Sequence, residues 1–167
     1  MFLFDDILKG KIVIVGVGNT LRGDDGFGSI LIEKLKKNFE EIGDRQYKSI
    51  PILIDAGNAP ENYAGKIAKE KPDTILIVDA IDLGLKPGEY EIIKRTDMVE
   101  TGFTTHNMSL SMFIEFLEKE TGAEIYILGV QPEKVSFGEE MSGAVEMALE
   151  EILTLLVSSL KLRKKRL

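Results

Sequence analysis

The chain of 167 residues is 44% hydrophobic and carries a formal net charge of −7, so it is long enough to bury one core without metal or disulfide staples. It has no cysteine and a single histidine, His106, which excludes disulfides, thiolate metal centres and thiol nucleophiles. A pI near 4.9 excludes a nucleic-acid binder that works through a basic surface.

In chain order, the opening MFLFDDILKG is apolar but short and acidic, lacking the basic flank and length of a signal peptide or membrane span. A soluble cytoplasmic protein is expected. KIVIVGV (11–17) is a continuous β-branched run, the pattern of a strand buried on both faces. A glycine-rich loop leads into a helix over 25–39, with Phe27, Ile30, Leu31 and Leu35 on one side and acids near its start. The pattern repeats: a strand at 51–55, a short helix near 61–68 and a strand at 74–80. These alternations favour a parallel sheet with helices on both faces.

LKPGEYEIIK (85–94) has a turn and an alternating strand with no helix before it, which predicts an edge or antiparallel strand. A helix follows over 107–120 with Leu110, Phe113, Ile114 and Leu117 on one face, then a strand at 123–130 and a last helix at 141–160. The basic run at 161–167 is read as a solvated tail. With no linker or repeat, the expectation is a single doubly wound α/β domain over residues 1–167. Its sheet has about five mostly parallel strands, one of them antiparallel or at an edge.

In open sheets of this kind, ligands sit beyond the carboxyl ends of the strands. The loop GVGNTLRGDDGFG carries Asp24 and Asp25 there; Asp55 ends the second strand, Asp79 ends the third inside an apolar run, and His106 lies in the loop before a helix. Two carboxylates and an imidazole reaching one cleft suit a divalent transition metal with positions open to an outside ligand. Taken singly, each residue has a plainer reading: capping for Asp24, Asp25 and His106, a turn for Asp55, backbone contacts for Asp79.

Common hydrolase signatures are absent, and Ser109 and Ser111 fall inside a predicted helix, a poor place for a triad nucleophile. A dinucleotide site needs a third glycine where Leu21 stands, and two acids would oppose the pyrophosphate. A phosphoacceptor switch would use Asp24, Asp25, Asp79, Thr104 and Lys134, but its acidic pair should follow the strand directly, and it leaves His106 without a role.

Together, GVGNTLRGDDGFG, LIDAGNAPEN, ILIVDAIDLGLKPGEYEII, TTHNMSL and ILGVQPEKVSFGEEMSGAV resemble the hydrogenase maturation endopeptidases from about residue 11 to 156. They are most similar to the branch that processes the large subunit of hydrogenase 3, of the formate-hydrogenlyase type. The resemblance implies a twisted sheet of about five strands between helices and an endopeptidase that activates a nickel-iron hydrogenase. It would remove a short C-terminal extension from the large-subunit precursor once nickel is inserted.

By motif, the resemblance places the metal-binding positions on Asp25, Asp79 and His106, engaging the nickel of the substrate rather than a resident cofactor. Catalysis would fall to Asp25 and Asp79, by a metal-polarised carbonyl, a metal-bound water or a carboxylate general base. The second-strand motif, Asp-Gly-Gly in the family, reads Asp55-Ala56-Gly57 here. Asp55 and Gly57 are expected to touch substrate. The alternative is a dinucleotide- or metal-binding α/β module without protease activity.

Overall fold

β-branched and leucine-rich runs build one sheet in the computed structural model, which describes residues 4–47, 49–98 and 108–161. Its strands are β1 (Ile12–Val17), β2 (Ile52–Gly57), β3 (Thr74–Ala80), β4 (Tyr90–Lys94) and β5 (Glu124–Val130). They lie in the order β2-β1-β3-β5-β4. β1 pairs in parallel with both β2 and β3, and β3 in parallel with β5; only β4, at one edge, runs antiparallel. β1, β3 and β5 are buried almost throughout, as their uninterrupted apolar runs predict.

Because side chains alternate across a strand, each central strand feeds two cores. Ile12, Ile14, Leu76, Val78 and Leu128 face α2 (Phe27–Ile42) and α5 (Gly143–Leu160). Val13, Val15, Ile75, Ile77 and Ile127 face α3 (Ala64–Lys69) and α4 (Met108–Glu120). Each such aliphatic side chain stabilises the fold by about 1.5–3 kcal/mol when fully buried. The first core also takes Phe4, Ile7 and Leu8 from the short helix α1 (Phe4–Ile7) and the residue after it, which a run that short gives no periodicity to reveal.

Departures from expectation are local. Asp25 lies in a 3-10 turn, Gly23–Gly26, ahead of α2 rather than in the helix. β4 starts at Tyr90, not residue 85, because Gly84 and Gly88 both take positive φ and turn the chain first. α5 stops at Leu160, and Lys161 makes an isolated antiparallel bridge with Tyr47. The rest of the basic tail and His106 lie outside the described residues. Among the described residues no helix is long and apolar enough to cross a membrane.

Candidate functional site

The chain leaves β1 for β2 on one side and reaches β3 on the other, so connections diverge between β1 and β3. Such a switch point opens a crevice at the carboxyl ends of both strands. Two glycines let the loop after β1 settle into it. A Cβ on Gly28, in the first turn of α2, would collide with the carbonyl oxygens of Val17 and Val78, so the helix start can rest on both strands only without a side chain. Gly18, at φ +139°, leaves room for the carbonyl of Asp25 against its own backbone. The Asn19 N–H then donates to both Oδ2 and the carbonyl oxygen of Asp25, each at 3.1 Å. This fixes Asp25 at the mouth of the crevice, half-buried.

Asp79 reaches the same crevice from β3. It alternates in step with Ile75 and Ile77, which places its side chain on the α3 and α4 side of the sheet. It is 6% exposed. Directly across the ladder stands Gly129, where a Cβ would come within 3.3 Å of Leu83 and 3.4 Å of Ile81. The loop after β3 therefore folds over the strand pair beside Asp79. Gln131 holds that loop: its Oε1 accepts the N–H groups of Leu83 at 2.6 Å and Leu85 at 3.2 Å. Burial pushes the Asp79 carboxyl well above the usual carboxylate range, the charge of Asp25 pushes it further, and the Ala80 N–H opposes both. Two carboxylates arranged to resist joint ionisation form a site that a cation would relieve.

Asp24, the other member of the acidic pair, faces away from this crevice and is fully buried. It caps no helix. Its Oδ2 accepts the N–H groups of Glu133 at 2.8 Å and Lys134 at 2.9 Å and the hydroxyl of Ser142 at 2.9 Å; its Oδ1 accepts the Ser142 N–H at 2.7 Å. Burial raises the Asp24 carboxyl, but these donors outweigh it and hold the group below its usual value. Asp24 thus ties the segment after β5 to the loop that presents Asp25.

Asp55 is not brought to the pair. Its neighbours Ile54 and Ala56 face the α3 and α4 core, so Asp55 points to the other side of the sheet. There its Oδ1 accepts the hydroxyl of Ser29 in α2 at 2.6 Å and the Gly57 N–H at 3.1 Å. Gly57 ends β2 with φ +54°, and its carbonyl accepts the N–H of Gly18 at 2.9 Å. Both residues brace the loop that carries Asp25. His106 lies outside the described residues, and the helix that follows it lies within them. α4 is joined to β5 by three residues and runs antiparallel to it, so Met108 starts at the end of the sheet where Asp79 lies.

Gln131, Gly129 and Ser142 act here without having been singled out from the sequence. Gln131 and Ser142 are single polar residues flanking the loop between β5 and α5, and Gly129 is a lone glycine within β5, so none carries a signal of its own in the sequence.

Comparison with known proteins gives a consistent picture. The family model described as "HycI: Hydrogenase maturation protease" matches residues 30–159, which include Asp55, Asp79 and His106 but not the loop with Asp24 and Asp25. The hydrogenase 3 maturation protease of Escherichia coli K12 is 40% identical over 141 residues, covering 84% of this chain and 85% of its own. The crystal structure of the [NiFe] hydrogenase maturation protease HycI from Thermococcus kodakarensis superposes with a TM-score of 0.79 at 32% identity, covering 93% of this chain and 97% of that one. The solution structure of the endopeptidase HycI from Escherichia coli gives 0.73 at 37% identity, covering 89% and 90%.

Proposed function

The chain belongs to the hydrogenase maturation proteases, and from that premise we propose that it is a cytoplasmic endopeptidase acting on the large-subunit precursor of a nickel-iron hydrogenase. It removes a short C-terminal extension once nickel has been inserted, with Asp25, Asp79 and His106 engaging the nickel that the precursor carries. The observation that supports this most is the pairing of Asp25 with a buried Asp79 whose ionisation it opposes. An arrangement that penalises two negative charges in the empty site rewards the arrival of a divalent cation.

The donor set fits nickel, since an imidazole nitrogen and carboxylate oxygens suit a borderline divalent ion and leave positions for the precursor's own ligands. Ligation needs an ionised carboxylate, so engagement would release the proton that Asp79 otherwise retains. The metal then serves as a mark of maturation state, because a precursor without it offers the pair nothing to bind. Hydrolysis falls to the same two aspartates. Whichever carboxylate of the pair is not ligating the metal is the one free to accept a proton from an attacking water. Asp55 and Gly57 support the substrate cleft through the Asp25 loop.

The test is intact-mass spectrometry of a precursor incubated with the protein, with and without nickel. Loss of a C-terminal peptide only from the nickel-loaded sample is expected. An unchanged mass in a verified nickel-loaded precursor, or equal cleavage of both samples, would overturn the nickel-gated reading.

A further inference from the structure

Among the polar groups of Asn19, in the loop after β1, all but one are committed. Its N–H donates to Oδ2 and the carbonyl oxygen of Asp25, each at 3.1 Å. Its carbonyl oxygen accepts the Arg22 N–H at 3.1 Å, and its side-chain Oδ1 accepts the Leu21 N–H at 2.9 Å. Nδ2 alone has no partner among the described residues. We propose that Nδ2 of Asn19 donates a hydrogen bond to the carbonyl oxygen of the peptide bond being cut, making Asn19 a catalytic residue beside the carboxylate pair. The proposal rests on the endopeptidase reading above.

The residue is held in place on every side but this one. A Cβ on Gly26 would stand 2.8 Å from the Thr20 Cα and 3.5 Å from the Asn19 carbonyl oxygen, so the chain at Asn19 lies packed on the turn that carries Asp25. A carboxamide is planar, so an Oδ1 bonded to the Leu21 N–H within its own loop leaves Nδ2 directed away from that bond. Asn19 is half-buried. No buried side-chain nitrogen or oxygen among the described residues lacks a partner, so the unpartnered Nδ2 is open to solvent and to a ligand. A donor fixed in this way needs little reorganisation when its acceptor arrives.

The chemistry of the group names its acceptor. A neutral N–H donor next to a carboxylate suits a carbonyl oxygen, which has lone pairs and no proton, and the bond strengthens as that oxygen gains charge. Asp25 Oδ2 already accepts the N–H of Asn19, so donor and carboxylate stand no more than one asparagine side chain apart. Hydrolysis needs both. The water oxygen bonds to the carbonyl carbon, the π pair moves to the carbonyl oxygen, and Nδ2 donates to the oxyanion that results. The water's proton goes to the carboxylate free of metal and then to the departing nitrogen as the C–N bond breaks, leaving a new carboxyl terminus and a new amino terminus.

The experiment is single-turnover cleavage of the nickel-loaded precursor at rising enzyme concentration, which separates the saturated rate from the half-saturating concentration. Wild type is compared with Asn19→Asp and Asn19→Ser, each of which keeps an oxygen that can accept the Leu21 N–H and lacks the amide nitrogen. Asn19→Ser adds no charge to the pair. Saturated rates are expected to fall about 100-fold in both, with the half-saturating concentration within about threefold of wild type and the melting temperature unchanged. Variants that cut at the wild-type rate would overturn the proposal. So would a loss confined to the half-saturating concentration, or a lost rate that comes with a lowered melting temperature in both, since Asn19 would then serve the turn alone. Wild type that leaves a verified nickel-loaded precursor intact overturns the endopeptidase reading and the assignment of Asn19 with it, an outcome distinct from variants that cut as well as wild type.

Discussion

Asp25 bears on Asp79 through its charge, which adds to the effect of burial in keeping the Asp79 carboxyl protonated well above the usual carboxylate range. Asp25 comes from the turn ahead of α2 and Asp79 from β3, and Gly28 lets α2 begin on top of β1 and β3. The pair is consequently a stability liability in the metal-free protein and an asset once a cation is present.

Asp79→Asn is therefore expected to stabilise the metal-free protein at neutral pH. The folded state holds the Asp79 proton more tightly than the unfolded state does. Its contribution is full below the ordinary value of 3.8 and is lost as pH rises through the raised folded value. Thermal melts should show a gain on the order of 1 kcal/mol, or about 2–4 °C, for the variant at pH 8 and little difference near pH 4. Nickel affinity should fall. A variant less stable than wild type at pH 8, or one that binds metal as well, contradicts the assignment.

Losing the imidazole should separate function from fold. His106→Ala is expected to melt as wild type does and to process the nickel-loaded precursor about 100-fold more slowly, the effect of roughly 3 kcal/mol of lost interaction in the transition state. Single-turnover cleavage measures this. Cleavage at the wild-type rate would remove His106 from the site.

The two adjacent aspartates should fail in different ways. Asp25→Asn is expected to abolish processing with little change in stability, whereas Asp24→Ala strands buried N–H donors and should cost about 2–4 kcal/mol in denaturant unfolding. Ser142→Ala, which keeps the backbone donor, should cost about 1 kcal/mol. The depressed Asp24 pKa stabilises the fold above 3.8, and that share is lost as pH falls through the lower folded value. Wild type should thus lose more stability on acidification than Asp24→Asn does. If Asp24→Asn proves worse for processing than Asp25→Asn under conditions where both are folded, the two roles are reversed.

Gly28→Ala tests the close approach directly. Gly28 has helical φ, so any effect comes from the added methyl against the Val17 and Val78 carbonyls. Overpacking of this kind costs about 1–3 kcal/mol and should lift the first turn of α2 away from β3. Reduced processing together with a lowered Tm is expected; a variant normal in both would show that the contact yields easily.

Much of this was legible in the sequence because buried parallel strands leave continuous apolar runs. The runs at 11–17, 74–80 and 123–130 became β1, β3 and β5, with β3 unshifted and β1 and β5 each starting one residue later. The edge position and reversed direction of β4 followed from its alternation and the turn before it. Asp79 stood out as a charge within an apolar strand. The residues alone left open which of Asp24 and Asp25 faces the crevice, since neighbours in a tight turn point apart; only the family resemblance favoured Asp25. Their partners, Ser142 in one case and Asp79 in the other, are distant in the chain. Asp55 was placed on the right strand but on the face opposite Asp79, because Ser29 holds its carboxylate on the α2 side.

The Asp24 clamp closes contacts between residues 109 to 118 positions apart. Contacts of such high sequence separation form late, since most of the loop-closure entropy of the chain must be spent before they stabilise anything. During synthesis, a ribosome-bound chain that has not yet exposed Ser142 has β1, its loop and Asp25, but lacks the donors that brace them. Peptidase competence therefore arrives with completion of the fold rather than by degrees, and no N-terminal fragment should cut on its own.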